Sequence, residues 1–513
     1  MHTLWKRILT ETSELLPDFN DYLLLEFRKE KIGQIRNYLD TLFQEIVKVF
    51  NGRLVYLGWE EMTPDERLEY IKTNKIINKR VSIQDSTFEL LRFKFELDGE
   101  RYPVYIHIPY TEGNAIIYNG THYFPMFPII ERGGLHRTGK DVIIKVMRCP
   151  IMCKRTISSS FTTTDADRAY QETVITVKIH QRQNGRGGKN AVRTPLILYH
   201  LVNNSFPDTA RMYGFLPGEI GFSGEDFSDD KMASIRVSDS VYIRITRNVL
   251  EDQNKRRFIA SLLLCFKEYP KFDLTDLRLN DIHYFRTVLG KFTYQASSNG
   301  ALLYENAVKH LETTDTLLDA PAAYQLAQIG IHASNIYELL LIVFYNLDNW
   351  IVGYDPIDLY EKKIGSLEQI MASAVSTINN KMFDIINNKR KGLESSTLAN
   401  FTKSISLHPD WITKSSCFRI NPSIYNDNWL IGIGASRYRS LENTETKNIK
   451  KSNHKVPKNL LLAHPSQLVV ESILVNPPSA PIVTGTINPY LQIDHDGNII
   501  RPPWADEIAH VFD

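Results

Sequence analysis

The stretch from Asp355 to Gly365 reads DPIDLYEKKIG, and Ser-Leu-Glu-Gln follows it at 366–369. Ser366 and Gln369 have the spacing of a capping box, which predicts that a helix starts here. Residues 389–391 (Lys-Arg-Lys) suit the negative end of its dipole, and Gly392 can close it. Between these limits apolar residues recur at helical spacing: Leu367, Ile370, Met371, Ala374, Val375, Ile378, Met382, Ile385 and Ile386.

The composition is that of a globular protein with several domains. The chain has 513 residues, of which 43% are hydrophobic and 11% aromatic, and this argues against disorder. The formal net charge is only +1, so any contact with nucleic acid must come from local basic patches. Four cysteines and no secretory signal predict a reducing compartment.

Hydrophobic periodicity divides the chain into helical and extended parts. Residues 1–58 are expected to be helical, with a clear apolar stripe over 35–50. Alternating apolar residues on both sides of Asp98-Gly99 predict a β-hairpin. Further on we expect a polar loop at 158–167, a strand near 174–179, and helices at 258–266, 301–311 and 324–345. The apolar run 337–345 is too short to span a bilayer, so a buried helix is expected there.

Residues 108–121 (IPYTEGNAIIYNGT) predict a strand that ends in an Asn119-Gly120 turn. The segment resembles a signature of the β subunit of multisubunit RNA polymerases, where Ile-Pro and Thr precede a strand running into Ile-Asn-Gly-Thr/Ser-Glu. His122 stands where the family has Glu. A second element, residues 193–202 (RTPLILYHLV), is similar to a strand-to-helix element in the lobe of β, although the Arg-Ala pair of the family is not kept.

The opening stretch gives the most specific match. Asp355, Asp358, Lys362, Lys363 and Gly365 follow a family pattern of Asp-x-x-Asp, a basic pair, a Gly and a helix. In the β family this pattern marks the return of the chain from the lobe to the protrusion. The resemblance implies that the two acids and two lysines pair and brace this junction rather than take part in chemistry.

Three later segments resemble the region of β that is called the fork and the hairpin that follows it. Residues 429–439 (WLIGIGASRYR) lead into a lysine-rich loop at 442–458, which 461–467 (LLAHPSQ) closes. The family continues with Cys-Pro-x-Glu-Thr-Pro-Glu-Gly, but this chain has ESILVNPPSAPIVT at 471–484 instead. Residues 487–503 then resemble the next β hairpin.

The ordered matches identify the chain as similar to the N-terminal half of a split β subunit, as found in giant bacteriophages related to phiKZ. They imply an α+β, multidomain β-subunit-like architecture. The implied domains are a first protrusion segment (1–154), an inserted lobe (155–350), a second protrusion segment (351–410), the fork (411–480) and the start of an external domain (481–513).

The resemblance also implies partners and a place of action. The partners would be the C-terminal β half, β′-like subunits, template DNA and the RNA–DNA hybrid, with no membrane. This chain would bind no cofactor itself, because the catalytic Mg²⁺ would lie on a β′-like partner. The complex would act in the cytoplasm of the infected bacterial host, within a phage compartment or in the virion.

One basic cluster is a candidate nucleic-acid-binding site. The resemblance places it near the RNA–DNA hybrid, where cations would neutralise phosphates without reading sequence. A solvated loop is the open alternative, and for 389–391 a helix end is favoured. The members of the cluster are Arg437, Arg439, Lys447, Lys450, Lys451 and Lys455.

Other motifs favour structural interpretations. Asp494-His495-Asp496-Gly497 suggests a metal site, but its alternating flanks favour a hairpin tip. Cys149 and Cys153, with His136 as a third candidate ligand, lack a complete zinc set, so structural thiols are favoured. Residues 185–189 (GRGGK) lack the Walker spacing, and a flexible hairpin tip carrying Arg182, Arg186 and Lys189 is expected there.

No nucleophile–base pair or metal constellation stands out, so the sequence favours no stand-alone enzyme. Two classes of function therefore remain. The first is a scaffold and clamp subunit of a DNA-directed RNA polymerase. The second is a phage structural or host-interaction protein without an enzymatic role.

Overall fold

The computed structural model divides the chain into two compact units, which are Met1–Arg132 with Asp355–Asp513, and Gly133–Tyr354. The second unit thus lies, in sequence, inside the first. The finer domain boundaries given above stay predictions. The structure describes residues 28–48, 52–76, 86–112, 115–118, 120–137, 141–146, 150–165, 169–179, 194–238, 241–268, 281–293, 299–355, 358–365, 367–368, 371, 378, 420–422, 437–440, 464–471, 484–488 and 490–503.

In its described residues, the N-terminal portion of unit 1 has two helices and two β-hairpins. The elements are α1 (Ile32–Lys48), β1 (Leu54–Glu61), α2 (Pro64–Ile76), β2 (Phe88–Leu97), β3 (Glu100–Pro109), β4 (Ile116–Tyr118) and β5 (Thr121–Glu131).

Strands β1, β2 and β3 form an antiparallel sheet, and α1 packs on one face of it through Phe43, whose ring lies 5.0 Å from the ring of Phe93. Asp98 and Gly99 turn the β2–β3 hairpin with φ of 52° and 88°, as a two-residue turn requires. The hairpin and the helix at α1 are confirmed. Residues 54–58 belong to a strand instead of a helix, because β1 pairs with β2 along its length.

Unit 2 contains two antiparallel sheets and most of the helices. Its elements are β6 (Leu135–Arg137), β7 (Asp141–Ile144), β8 (Ile151–Thr162), β9 (Ala169–Lys178), β10 (Thr194–Pro195), α3 (Leu198–Leu201), α4 (Phe206–Met212), β11 (Ile220–Ser223), β12 (Met232–Arg236), β13 (Tyr242–Thr246), α5 (Gln253–Glu268), α6 (Ile282–Thr293), α7 (Gly300–Asp315), α8 (Ala320–Ala327) and α9 (Ile336–Val352).

The sheets of unit 2 have the strand orders β10-β9-β8-β7-β6 and β11-β13-β12. The strand near 174–179 is confirmed as part of β9. The loop expected at 158–167 is wrong over its first half, because β8 extends to Thr162. Ser159 and Ser160 lie opposite Glu172 and Gln171 of β9, so ladder pairing continues through a polar sequence.

A continuous apolar core joins these sheets to the helices. Helix α9 contains the apolar run 337–345, and its residues Leu339, Val343 and Phe344 are fully buried. The single helix expected at 324–345 is two helices, separated by a turn in which Gly330 has a φ of 78°. No helix in the described part of the chain is long and apolar enough to cross a membrane.

The C-terminal portion of unit 1 returns strands to β5. Its elements are β14 (Lys362–Ile364), β15 (Ile420–Pro422), β16 (Arg437–Ser440), α10 (Ser466–Val470) and β17 (Thr484–Thr486). The sheet order is β14-β5-β16-β17, and β4 and β15 also pair with β5. Of the helix expected from residue 366, Leu367, Glu368, Met371 and Ile378 are helical, and the rest of it lies outside the described residues.

Candidate functional site

Strand β14 lies where three distant parts of the sequence meet. On one side it pairs with β5, with Lys362 opposite Glu131 and Ile364 opposite Ile129. On the other side Lys363 forms a bridge with Asn498, and the amide of Ile364 donates to the carbonyl of Gly497 at 2.8 Å. The two lysines of the opening stretch therefore lie in a strand that has backbone partners on both sides, and not in a solvated turn.

Gly365 ends β14 at a close approach to β5. Its amide donates to the carbonyl of Pro128 at 2.6 Å. A Cβ at this position would lie 2.7 Å from Pro128 Cγ and 3.1 Å from the Pro128 carbonyl oxygen. The backbone of β14 can therefore reach β5 here only because residue 365 has no side chain.

Arg132 connects β14 to the hairpin at 493–499. One of its Nη groups donates to the carbonyl of Ile499 at 2.7 Å, and its Nε lies 3.4 Å from the carbonyl oxygen of Lys362. Burial lowers the pKa of the Arg132 guanidinium, although carboxylates at Asp494, Glu361 and Asp358 oppose the shift. The side chain therefore links β14 to the 493–499 hairpin, although the partial burial of its charge is unfavourable.

Asp358 and Leu359 contact the start of α10. The Asp358 carboxylate accepts the amide of Tyr360 at 2.8 Å and lies 3.6 Å from His464 Nδ1. The buried Ser466 hydroxyl accepts the amide of Leu359 at 2.9 Å and lies 2.7 Å from His464 Nδ1. Because the Ser466 amide also donates to Nδ1 at 3.2 Å, this nitrogen is an acceptor. The His-Pro-Ser motif thus anchors the junction segment.

The Asp494–Asn498 segment is a turn, as the sequence predicts. One oxygen of the Asp494 carboxylate accepts the amides of Asp496 and Asn498 at 2.9 and 2.7 Å. Its other oxygen accepts the Asn498 side-chain amide at 2.8 Å, and Gly497 has a φ of 86°. The carboxylate is thus occupied in shaping the hairpin tip.

Both lysines of β14 are buried, each with only 3% of its surface exposed. Desolvation lowers the pKa of the Lys363 ammonium, whereas Asp496, Glu368 and Asp494 raise it and Arg132 lowers it further. Asp355, the other predicted junction acid, is exposed at the first residue of the C-terminal portion of unit 1. Asp358 lies in the turn that precedes the strand containing Lys362 and Lys363, and the bracing role of all four residues stays a prediction.

The predicted nucleic-acid cluster is described only in part. Arg437 and Arg439 belong to β16, which pairs in parallel with β5 and antiparallel with β17. Lys447, Lys450, Lys451 and Lys455 lie outside the described residues, as do Cys149, residues 185–189 and the run 389–391. Contact of this cluster with nucleic acid stays a prediction.

Sequence reasoning missed Arg132 and Glu131 as members of the junction. Only a weak indication of this is present in the sequence. Glu131 and Arg132 form a charged pair between the apolar Ile129-Ile130 and Gly133-Gly134. Nothing in the local sequence indicates that Arg132 reaches the carbonyl of Ile499.

The cysteines that the structure describes are structural. Cys153 and Cys265 are free and buried, and burial raises the pKa of the Cys153 thiol to about 12. Within the described ranges no group of three or more His, Cys, Asp or Glu residues could hold a metal ion. The junction is thus a site of backbone anchoring that contains the two buried lysines of β14.

Comparison with known proteins gives this arrangement a context. The model of one protein family, described as "Non-virion RNA polymerase subunit", matches residues 2–493. No curated protein matches the chain significantly. Because the match spans nearly the whole sequence, the chain belongs to the family of phage non-virion RNA polymerase subunits.

Proposed function

We propose that this subunit is the N-terminal half of a split β subunit in a DNA-directed RNA polymerase. In this role it forms one side of the DNA channel and supports template-directed RNA synthesis by the complex. The C-terminal β half and the β′-like subunits are its partners. The complex works in the cytoplasm of the infected host, in keeping with a non-virion enzyme.

The supporting observation is the convergence on β14. The β-like signatures were found separately in the sequence, at 108–121, 355–365, 461–467 and 487–503. In the structure the second of these contacts the third through Leu359 and Ser466, and it contacts the fourth through Ile364 and Gly497. Parts of a common architecture are expected to converge in this way, whereas chance resemblances scattered along a chain are not.

The catalytic metal belongs to another subunit in this proposal. The resemblance to β subunits is the ground for assigning the catalytic Mg²⁺ to a β′-like partner, where it would stabilise the transferring phosphoryl group. The cluster from Arg437 to Lys455 would contribute cations along the backbone of the hybrid.

Reconstitution tests this proposal directly. Polymerase assembled with all subunits should extend an RNA primer on a DNA scaffold, and the mixture without this chain should not. The isolated chain should make no RNA. RNA extension at an unchanged rate without the chain would remove it from the core of the enzyme. A chain that instead assembles into a shell or tail component would favour the structural or host-interaction role.

A further inference from the structure

One face of α9 lacks the charges that a solvent-facing helix normally carries. Seven residues of this helix are buried, and they lie on the side that packs into the core of unit 2. The residues on the opposite side recur at helical spacing and are exposed or partly buried. This row, which we call the α9 outer face, consists of Glu338, Leu341, Ile342, Tyr345, Asn349 and Val352.

The α9 outer face presents apolar side chains to solvent. Tyr345 is 39% exposed and Val352 is 78% exposed. The Tyr345 hydroxyl donates to the carbonyl of Met212 at 3.2 Å, which holds the ring in place. Leu216, which is 66% exposed, follows shortly after Met212 in the chain and adds to the apolar surface there. From Leu341 to Val352 the apolar row runs over about three turns of the helix.

Helix α7 of the same unit has the composition that is usual for a solvent-facing helix. Its exposed positions include Glu305, Lys309 and Glu312, and Glu305 forms an ion pair with Lys309. The α9 outer face has a single charged residue, Glu338, at its first turn. Asp348, the other charged residue of α9, is ion-paired within unit 2. A helix that is apolar on nearly all sides is typical of a buried position, although α9 is exposed on one side in the isolated chain.

We propose that the α9 outer face is the docking surface for another subunit of the RNA polymerase, which covers it with an apolar, uncharged surface. Depletion of charge together with an exposed tyrosine and aliphatic side chains is the composition found at the centre of stable protein interfaces. The inference rests on membership of the polymerase subunit family, and not on the assignment to the N-terminal half of β.

The charges of α9 favour a protein over other occupants. The helix contains no lysine or arginine, and phosphates of nucleic acid bind mainly through such cations. Helices that lie on a membrane surface carry Lys and Arg on a polar face, whereas α9 buries its other face in the core of unit 2. An uncharged protein surface is therefore the complementary partner.

Site-specific photo-crosslinking in the assembled polymerase tests this surface. In the tagged full-length chain p-benzoylphenylalanine replaces Val352, and the chain is produced in infected cells and purified together with its partners. Illumination should link residue 352 to a peptide of another polymerase subunit. The same crosslinker in place of Lys309, which is 66% exposed on α7, should give no link to that subunit.

Charges placed on the α9 outer face should release the same subunit. Asn349→Lys with Val352→Lys adds two lysines near the C-terminal end of the helix, where positive charge is favourable for folding. Burying these charges in an apolar interface is costly, so the yield of that subunit relative to the tagged chain should fall by at least about tenfold. The control Ala301→Lys with Leu302→Lys changes two exposed positions of α7 and should keep the full yield. Both variants should melt close to wild type, because all four side chains are exposed.

Two results would overturn the proposal. The first is the absence of a link from residue 352 to another subunit, whether the crosslinker then joins this chain, nucleic acid, lipid or nothing. The second is full recovery of every subunit with Asn349→Lys and Val352→Lys in a chain that melts like wild type. If the wild-type chain recovers no polymerase subunit at all, its assignment as a polymerase subunit fails as well.

Discussion

The guanidinium of Arg132 donates a 2.7 Å hydrogen bond to the carbonyl oxygen of Ile499, 367 positions further along the chain. The same side chain reaches the carbonyl of Lys362, so a single residue at the end of β5 fixes both β14 and the hairpin beyond it. Arg132 thus links β14 to the hairpin at 493–499.

Replacing Gly365 by alanine should destabilise unit 1. The new Cβ would overlap Pro128 Cγ at 2.7 Å, and overpacking of this kind costs about 1–3 kcal/mol. The control is Gly221→Ala, because no heavy atom lies within 4 Å of a Cβ at residue 221. Denaturant unfolding should separate the two variants, and equal stabilities would show that β14 shifts away from β5 freely.

Removing both junction acids, in Asp355→Ala with Asp358→Ala, should loosen the assembly of the polymerase. Asp358 accepts the Tyr360 amide, so its loss frees the segment that precedes β14. The yield of intact complex in affinity purification measures the effect. Glu305→Ala, on an exposed helix surface, should leave the yield unchanged. Normal assembly with lost RNA synthesis would instead indicate a direct role at the active site.

His200 should make the stability of unit 2 depend on pH. Its Nε2 faces the carbonyl of Tyr337 at 2.9 Å, and a carbonyl can only accept, so Nε2 carries the proton. Nδ1 then accepts from the Tyr213 hydroxyl at 2.7 Å. A proton on Nδ1 would place a positive charge in the core, and the Tyr213 hydroxyl would then have to accept this hydrogen bond instead of donating it. Burial lowers the pKa of His200 to about 4.

In the unfolded chain a histidine has a pKa of about 6.5. Between about pH 6.5 and pH 4 the unfolded chain therefore binds more protons than the folded chain. The stability that the neutral His200 ring provides is complete above about pH 6.5 and is lost as the pH falls towards 4. The loss amounts to about 3 kcal/mol of unfolding free energy. The stability difference between wild type and His200→Gln should shift in this window, whereas His495→Gln, with its exposed ring, should follow wild type.

Neutralising the basic cluster should reduce the salt dependence of nucleic-acid binding. Each lost phosphate contact lowers the slope of log K against log salt concentration by about 0.7–0.9. The variant carries Gln at Arg437, Arg439, Lys447, Lys450, Lys451 and Lys455 in the assembled polymerase. A variant with Gln at Arg182, Arg186 and Lys189 serves as the comparison. An unchanged slope in the first variant would show that its six residues do not contact phosphate.

The sequence predicts local structure well where periodicity or turn chemistry is strong. The β2–β3 hairpin follows from alternating residues around Asp98-Gly99, and the hairpin tip follows from Asp494 and Gly497. Prediction from the sequence fails where pairing with a neighbouring strand overrides the local sequence pattern. Serine-rich β8 is a strand because β9 supplies its hydrogen-bonding partners, and β1 is a strand because β2 does.

The candidate junction could be located in part. The acids and lysines of 355–365 stand out by their order. The structure places Lys362 and Lys363 in one strand and Asp358 in the turn before it. The long-range contacts could not be foreseen, because the interaction of Arg132 with Ile499 depends on how distant segments pack. The same holds for the burial of Lys363, since a lysine pair usually indicates a solvated surface.

The most direct test of the central claim is affinity purification of the tagged chain from infected cells, followed by mass spectrometry of what is bound. We expect stable association with several large polymerase-like chains, one of which carries an Asn-Ala-Asp-x-Asp-x-Asp type motif. The purified complex should make RNA, whereas the chain alone should not. Recovery of the chain without any large partner, or only as a self-assembled particle, would contradict its assignment as a polymerase subunit.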